Sequence, residues 1–197
     1  VLCTKSFISQ FNVSVRNIGG HSINGRQIFT FTEKRLRKEY VKKELIGYSV
    51  DQMFNVVSDV SNYYKFVPYV KKSFVHHRKG EEFKADLIVG FPPLNESYTS
   101  HVTLTPPLQV QSVCNDGRMF KYLLNDWKFS PGLKDIPQSC VIDFKVAFEF
   151  KSLIHSQLAN IFFDVICHQM EKAFKQEARR RFGNPPIRSH ILWSRKS

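Results

Sequence analysis

No apolar run in this chain approaches the roughly 18 residues a membrane-spanning helix needs, so a helical membrane protein is excluded. Cysteine is scarce: Cys3, Cys114, Cys140 and Cys167 are few, scattered and never in a Cys-x-x-Cys spacing. A disulfide scaffold is excluded, and the four read as small buried hydrophobes in a reducing compartment. A glycine-rich phosphate loop, a Gly-x-Ser-x-Gly elbow and a zinc pattern are all missing. Carboxylates such as Asp86 and Glu96 stand alone, and His76-His77 falls beside Arg78 and Gly80, which reads as a solvated hairpin tip. Asp164 and His168 are one helical turn apart, but His155 is too far along the chain to complete a metal site. No catalytic residue and no metal ligand is named from these.

Acid is absent from one long stretch and nearly absent from another. Residues 1–32 carry Lys5, Arg16 and Arg26 and no Asp or Glu. Residues 172–197 carry eight basic residues against Glu177 alone, a local charge of +7. Between them, residues 45–171 are close to neutral, although the whole chain stands at +12. A neutral body with basic ends suits an anionic membrane surface at least as well as nucleic acid, which wants a basic reading face. Residues 1–32, Ser- and Asn-rich and acid-free, read as a mitochondrial transit-like segment; an ordinary polar tail is the alternative.

What is present is one ordinary domain's worth of core: 197 residues, 42% hydrophobic, with 18 Phe against two Trp. Three segments are expected: 1–32 as the transit-like stretch, 33–183 as the domain, and 184–197 as a basic tail. Arg37–Ile46 reads as a lysine-bearing edge strand. Ser49 with Gln52 three positions later is a capping box, opening a helix on Met53, Phe54, Val56, Val57 and Val60. A short helical turn runs from Ser61 to about Phe66.

From Val70 to Phe150 the period is two. Phe83, Ala85, Leu87 and Val89 share one face; so do Tyr98, Ser100, Val102 and Leu104, then Leu108, Val110 and Ser112, then Ile142, Phe144, Val146, Phe148 and Phe150. Turn chemistry at Gly80, Pro92-Pro93, Pro106-Pro107, Asn115-Asp116-Gly117 and Pro131-Gly132 divides the stretch into six strands of an antiparallel meander. One long helix follows from Ser152 to about Phe182, its apolar stripe running through Leu153, Ile154, Leu158, Ile161, Phe162, Phe163, Val165, Ile166, Met170, Ala173 and Phe174. The class is α+β: a curved antiparallel sheet offering one face to a long C-terminal helix. In a meander every second connection lies at the same end. The turns near 90–95 and 115–118 and the junction near 151–156 therefore share one rim, which presents Phe91, Pro92, Pro93, Leu94, Leu153 and Ile154. Such an apolar rim is expected to touch lipid, unless it packs inward beneath its own loops.

Four strings carry a family resemblance. They are Phe66-Val67-Pro68 with Lys71-Lys72-Ser73; Val89-Gly90-Phe91-Pro92-Pro93-Leu94-Asn95-Glu96-Ser97-Tyr98-Thr99-Ser100; Trp127-Lys128-Phe129-Ser130-Pro131-Gly132; and Phe148 through Ala159. In this order the chain resembles the mitochondrial coenzyme Q-binding proteins of the START-like, polyketide-cyclase/dehydrase family, over roughly residues 35–182. Tyr69-Val70 and Asp126 depart from the usual residues of that family, which bears on pocket shape. The resemblance implies a helix-grip fold, with a hydrophobic tunnel between sheet and helix. It implies a non-enzymatic protein with no cofactor, whose ligand is ubiquinone or a prenylated precursor. It places the protein peripherally on the matrix side of the inner mitochondrial membrane, an anionic surface, where it supports respiratory electron transport and ubiquinone biosynthesis alongside components of those systems.

In such a tunnel the inward positions expected to touch ligand are Phe83, Leu87, Tyr98, Val102, Phe144, Phe148, Leu158, Phe162, Ile166 and Met170, together with Trp127. Tyr98, Trp127 and Tyr122 are candidates to donate a hydrogen bond to a headgroup. Nucleic acid is not expected as a partner. The competing readings are a ribosome- or RNA-associated START-like protein, for which Trp193 beside Arg195 and Lys196 is the only stacking signal, and a binder of some other hydrophobic ligand.

Overall fold

The computed structural model describes residues 37–91, 94–115, 120–151 and 153–197, and for residues 91, 94 and 153–164 it describes the backbone only. The elements are β1 (Arg37–Ile46), α1 (Val50–Ser58), a single 3-10 turn (Val60–Asn62), α2 (Tyr63–Phe66), β2 (Val70–Lys79), β3 (Glu82–Phe91), β4 (Leu94–Thr105), β5 (Gln109–Cys114), β6 (Phe120–Pro131), β7 (Cys140–Phe150), α3 (Leu153–Phe182) and β8 (His190–Lys196). Six consecutive strands, β2 to β7, form the expected meander. The capping box also forms: Ser49 Oγ accepts from the Gln52 amide at 3.2 Å, and Gln52 Oε1 accepts from the Ser49 amide at 2.9 Å.

All eight strands join one antiparallel sheet in the order β2-β3-β4-β5-β6-β7-β1-β8. The period-two alternation sets its covered face. Phe83, Ala85 and Leu87 on β3, Ser100, Val102 and Leu104 on β4, and Ile142, Phe144, Phe148 and Phe150 on β7 are buried. Against that face lie α1, α2 and the second half of α3. On α3 the buried residues Cys167, Glu171, Phe174 and Ala178 recur at helical spacing. Two expected inward residues are exposed: Val165 of the apolar stripe, on the described part of α3, and Leu108, which falls in the β4–β5 turn ahead of β5.

Two expectations at the sheet's edge are corrected. β1 is not an edge strand: it is paired with β7 on one side and β8 on the other. And the stretch expected as a basic tail contributes that eighth strand. Gly183, at φ +83, closes α3 with its amide on the Arg179 carbonyl at 2.9 Å, a conformation that favours glycine. The Tyr48 hydroxyl donates to the Gly183 carbonyl at 2.9 Å, which ties this end of α3 to the end of β1. The chain then crosses Gly47 so closely that a Cβ there would stand 2.7 Å from the Pro185 side chain and 2.8 Å from the Ile187 carbonyl. From His190 it runs back beside β1. Ile191, Leu192 and Trp193 remain exposed, so backbone pairing rather than side-chain burial holds β8 in place.

Candidate functional site

Between the curved sheet and α3 the structure encloses a cavity of about 60 Å³. Its walls are mostly apolar: Val70, Leu87, Tyr98, Val102 and Val110 from the sheet, Val60, Tyr63 and Val67 from the helical connection, and Met170 and Phe174 from α3. Of the residues expected to touch ligand, Leu87, Tyr98, Val102, Trp127 and Met170 do line it. As bounded by the described residues, this apolar slot is small against a ring-bearing lipid. Met170, unbranched and with a polarisable thioether, is the wall's most adaptable member.

The sequence reading missed the polar part of this wall. Ser100, Ser112 and Asn125 face the cavity from three neighbouring strands. In the registers Val102↔Ser112 and Ser112↔Asn125, Ser112 and Asn125 are direct cross-strand neighbours and Ser100 lies on the diagonal. Ser100 is 1% exposed, and its Oγ finds no hydrogen-bond partner among the described residues. The alternation in β4 and β5 already put both serines on the inward face; attention to apolar positions passed over them.

Three other expected contacts are placed elsewhere in the core. Phe144 packs its ring on Trp127 at 4.2 Å between centroids and lines an adjoining cleft with Lys42, Glu44 and Glu171. Phe83 is buried beneath the Arg78 guanidinium, 4.3 Å above its ring, and is not among the lining residues. Phe148 joins Phe120 and Phe150 in an aromatic cluster, with centroids 4.9 to 6.0 Å apart, and Tyr98 meets Phe120 edge-on at 5.7 Å. Ile166 is half-buried on α3. Leu158 and Phe162 lie outside the described side chains. Tyr122, a headgroup candidate, belongs to the outer face, where Arg37 stands 5.8 Å over its ring. Tyr63, by contrast, is inside: its hydroxyl donates to the Val57 carbonyl, and burial raises its pKa. Burial likewise raises Tyr98, so both phenols are neutral donors at physiological pH.

Behind Trp127 and Phe174 lies a charged cluster that no local pattern in the chain announces. Lys42 on β1 is 5% exposed and bonds Glu171 of α3 and, at 3.0 Å, Glu44; Glu44 also meets Lys175 of α3 at 2.8 Å. Burial disfavours the charge on Lys42, but the hydrogen bonds to Glu171 and Glu44 outweigh it, and its pKa is raised. Burial also opposes the charge on Glu44, yet Lys175 and Lys42 hold its carboxyl below the usual range. The Tyr40 hydroxyl, its pKa raised by burial and by the nearby Glu171, bonds the Glu171 carboxylate. These pairs join α3 to β1 across the interior. His76 is also less free than expected: it pairs with Asp86 at 3.1 Å across β2 and β3.

The three connections expected to share a rim do so: the β3–β4 hairpin, the β5–β6 turn and the β7–α3 junction are at one end of the sheet. Pro92 and Pro93, and the side chains of Phe91, Leu94, Leu153 and Ile154, lie outside the described residues. Around this end stand Arg37, opposite Glu149 in the register, Lys71, whose ammonium donates to Asn95 at 2.6 Å, Lys121 and Lys151. The basic turn of α3 is elsewhere. A 30-residue helix is about 45 Å long, and Arg179–Arg181 lie at its far end, beside Tyr48 and Gly183. There Arg180 and Arg181 both bond Glu177, and Arg181 reaches Asp59. Of the basic residues in the last stretch, Arg179–Arg181 thus lie away from the rim, and Arg195 and Lys196 lie on β8 beside β1.

Comparison with known proteins fits this geometry. Residues 46–175 match the family described as polyketide cyclase/dehydrase and lipid transport. The chain is 65% identical over 185 residues to a Drosophila melanogaster protein named coenzyme Q-binding protein COQ10, mitochondrial, covering 91% of this chain and 76% of that one. It is 45% identical to coenzyme Q-binding protein COQ10 homolog B of Xenopus laevis, over 77% of this chain and 62% of the relative. More distantly, it is 27% identical to the ribosome association toxin RatA of Vibrio cholerae, over 74% of this chain and 99% of the other. Among solved structures, the Zhui aromatase/cyclase of Streptomyces shares the fold, with a TM-score of 0.64 at 13% identity over 74% of this chain and 95% of that one.

Proposed function

Because the chain belongs to the polyketide cyclase/dehydrase and lipid transport family, and within it to the coenzyme Q-binding proteins, we propose that it holds coenzyme Q, or a prenylated precursor, between its sheet and α3. The observation that carries this reading is the apolar slot bounded by Leu87, Tyr98, Val102, Trp127 and Met170, in a chain 65% identical to a protein named for binding that quinone. It acts as a carrier rather than a catalyst. Among the described residues, the polar groups on the cavity wall are alcohols, phenols, an indole and an amide, which bind and orient, with no carboxylate, imidazole or amine beside them. Opening the slot costs packing contacts. Burying tail surface returns about 25 cal/mol per Å², so a few isoprene units offset a modest displacement of Met170 and its neighbours.

The protein works peripherally, on the matrix side of the inner mitochondrial membrane. It meets the bilayer with the rim of the β3–β4 hairpin and the β7–α3 junction, ringed by Arg37, Lys71, Lys121 and Lys151. Apolar loop tips enter the interface while the basic collar meets anionic headgroups. Arg179–Arg181, at the opposite end, take no part in this contact. By presenting quinone to the bilayer, the protein sustains respiratory electron transport and supports quinone biosynthesis. The competing ribosome- or RNA-bound reading draws less support. Arg195 is paired with Glu39, and among the described residues no aromatic ring stacks beside the exposed Trp193.

The test is mass spectrometry of lipid extracted from protein purified under mild conditions from a quinone-producing host. Stoichiometric coenzyme Q or a prenylated precursor is the expected result. Lipid-free protein that sediments with ribosomes overturns the reading.

A further inference from the structure

We propose that Ser100, Ser112 and Asn125 form the seat for the oxygen-bearing ring of the ligand, so that the ligand enters ring first and its tail trails back to the rim. This rests on the quinone-carrier reading above and adds an orientation and a headgroup site to it.

The argument starts from an unsatisfied group. Ser100 Oγ is buried, lines the cavity and has no partner among the described residues. A buried hydroxyl in an apolar wall is costly unless something supplies an acceptor. Its two polar neighbours on β5 and β6 face the same space. The three present a row of donors across neighbouring strands, some 5 to 8 Å from end to neighbour. That spacing suits a ring bearing several oxygens, and it exceeds what one isolated hydroxyl needs.

Depth fixes the direction. Along β4, Ser100 stands six residues in from Leu94 at the rim, about 20 Å by the strand rise. Between that depth and the rim, the covered face of β6 and β7 carries the buried rings of Phe120, Phe148 and Phe150, a stretch that offers hydrocarbon rather than hydrogen bonds. A polyprenyl tail fits that stretch, and a polar ring left there would lose its water without gaining partners. The polar deep end and the aromatic outer end therefore sort the two halves of the ligand. Release then runs tail first into the bilayer, and the ring leaves its hydrogen bonds last.

Trp127 lines the cavity beside Asn125, so in a Trp193→Phe background its fluorescence reports occupancy. The probes are a dimethoxybenzoquinone with a short alkyl tail, read by quenching, and squalene, read by displacement of that quinone. Ser100→Ala and Asn125→Leu are each expected to weaken the quinone about tenfold, the worth of one lost hydrogen bond to a desolvated ligand. Squalene, corrected for the weaker competitor, should keep its wild-type affinity, and thermal melts should show both variants folded. Quinone affinity unchanged in both variants overturns the seat and leaves the carrier reading standing. Equal weakening of both probes overturns it too, since the row would then be supporting the wall. If the Trp193→Phe parent binds neither probe, the carrier reading itself fails, and the seat with it.

Discussion

Removing Lys42 should unfold the protein well before removing its whole ion pair does. Lys42 is 5% exposed and lies between Glu44 and Glu171, the latter 7% exposed on the buried face of α3. Lys42→Met fills the same volume without charge. Glu44 keeps Lys175 at 2.8 Å, but Glu171 loses the one cation it bonds among the described residues. Stranding one member of a buried pair costs about 3 to 5 kcal/mol; the surviving Tyr40 hydrogen bond to Glu171 puts this case near the lower end. In a domain of this size about 3 kcal/mol lowers Tm by roughly 6–12 °C. The double variant Lys42→Met/Glu171→Leu replaces the pair with apolar surface against Phe144 and Phe174 and should recover most of that loss. The assay is a set of thermal melts at neutral pH on the parent, both singles and the double, completing a double-mutant cycle. If Lys42→Met shifts Tm by less than about 2 °C, or if the double loses as much as the two singles together, the view of these charges as a buried, interdependent clamp between β1 and α3 is wrong.

Other outcomes follow from the same structure. Glu177 has its pKa lowered to about 2 by hydrogen bonds from Arg180 and Arg181, working against partial burial. A depressed carboxylate stabilises the fold fully above its unfolded value and loses that contribution as pH falls towards the folded one. The Tm gap between parent and Glu177→Gln, about 2 kcal/mol in stability at neutral pH, should therefore close between about pH 4.5 and pH 2; a gap that persists in acid removes the linkage. Phe91→Asp combined with Leu94→Asp should abolish flotation with liposomes while leaving the melting temperature in place; retained flotation would show that the hairpin is not the contact. Binding to liposomes should require anionic lipid and fall as salt rises, because the Arg37, Lys71, Lys121 and Lys151 collar is exposed to screening; salt-independent partition would mean that insertion alone carries the contact.

How much of this was legible in the sequence depends on the range of each signal. The strands and their covered face were legible because alternation is local: Leu87, Tyr98 and Val102 needed no partner to declare themselves inward. The capping box at Ser49 and Gln52 was equally local. The clamp was not, since Lys42 meets Glu171 129 positions away and nothing near either residue announces it. β8 escaped because both its faces are exposed: Ile191, Leu192 and Trp193 show no periodic burial, and the strand exists only because β1 offers a free line of backbone groups. Tyr122 lies five positions from the inward Trp127, so alternation alone puts its ring on the outer face, and the bulge between Phe120 and Tyr122 returns Phe120 to the inside. The polar row at Ser100 lay in plain view of the alternation, but a search for greasy positions does not stop at a serine.

The doubly paired β1 also bears on how the chain is made. It leaves the ribosome before either of its neighbours, and its contact with β8 joins residues as far apart as Glu39 and Arg195, 156 positions. One flank stands bare until β7 is made and the other until β8, the condition in which nascent strands stick to one another. Arg37, Lys38, Lys42 and Lys43 make such self-association electrostatically unfavourable. Those charges guard an interval of time where sequence reading placed them to guard a border in space, and the finished molecule reuses one of them, Lys42, as an internal tie.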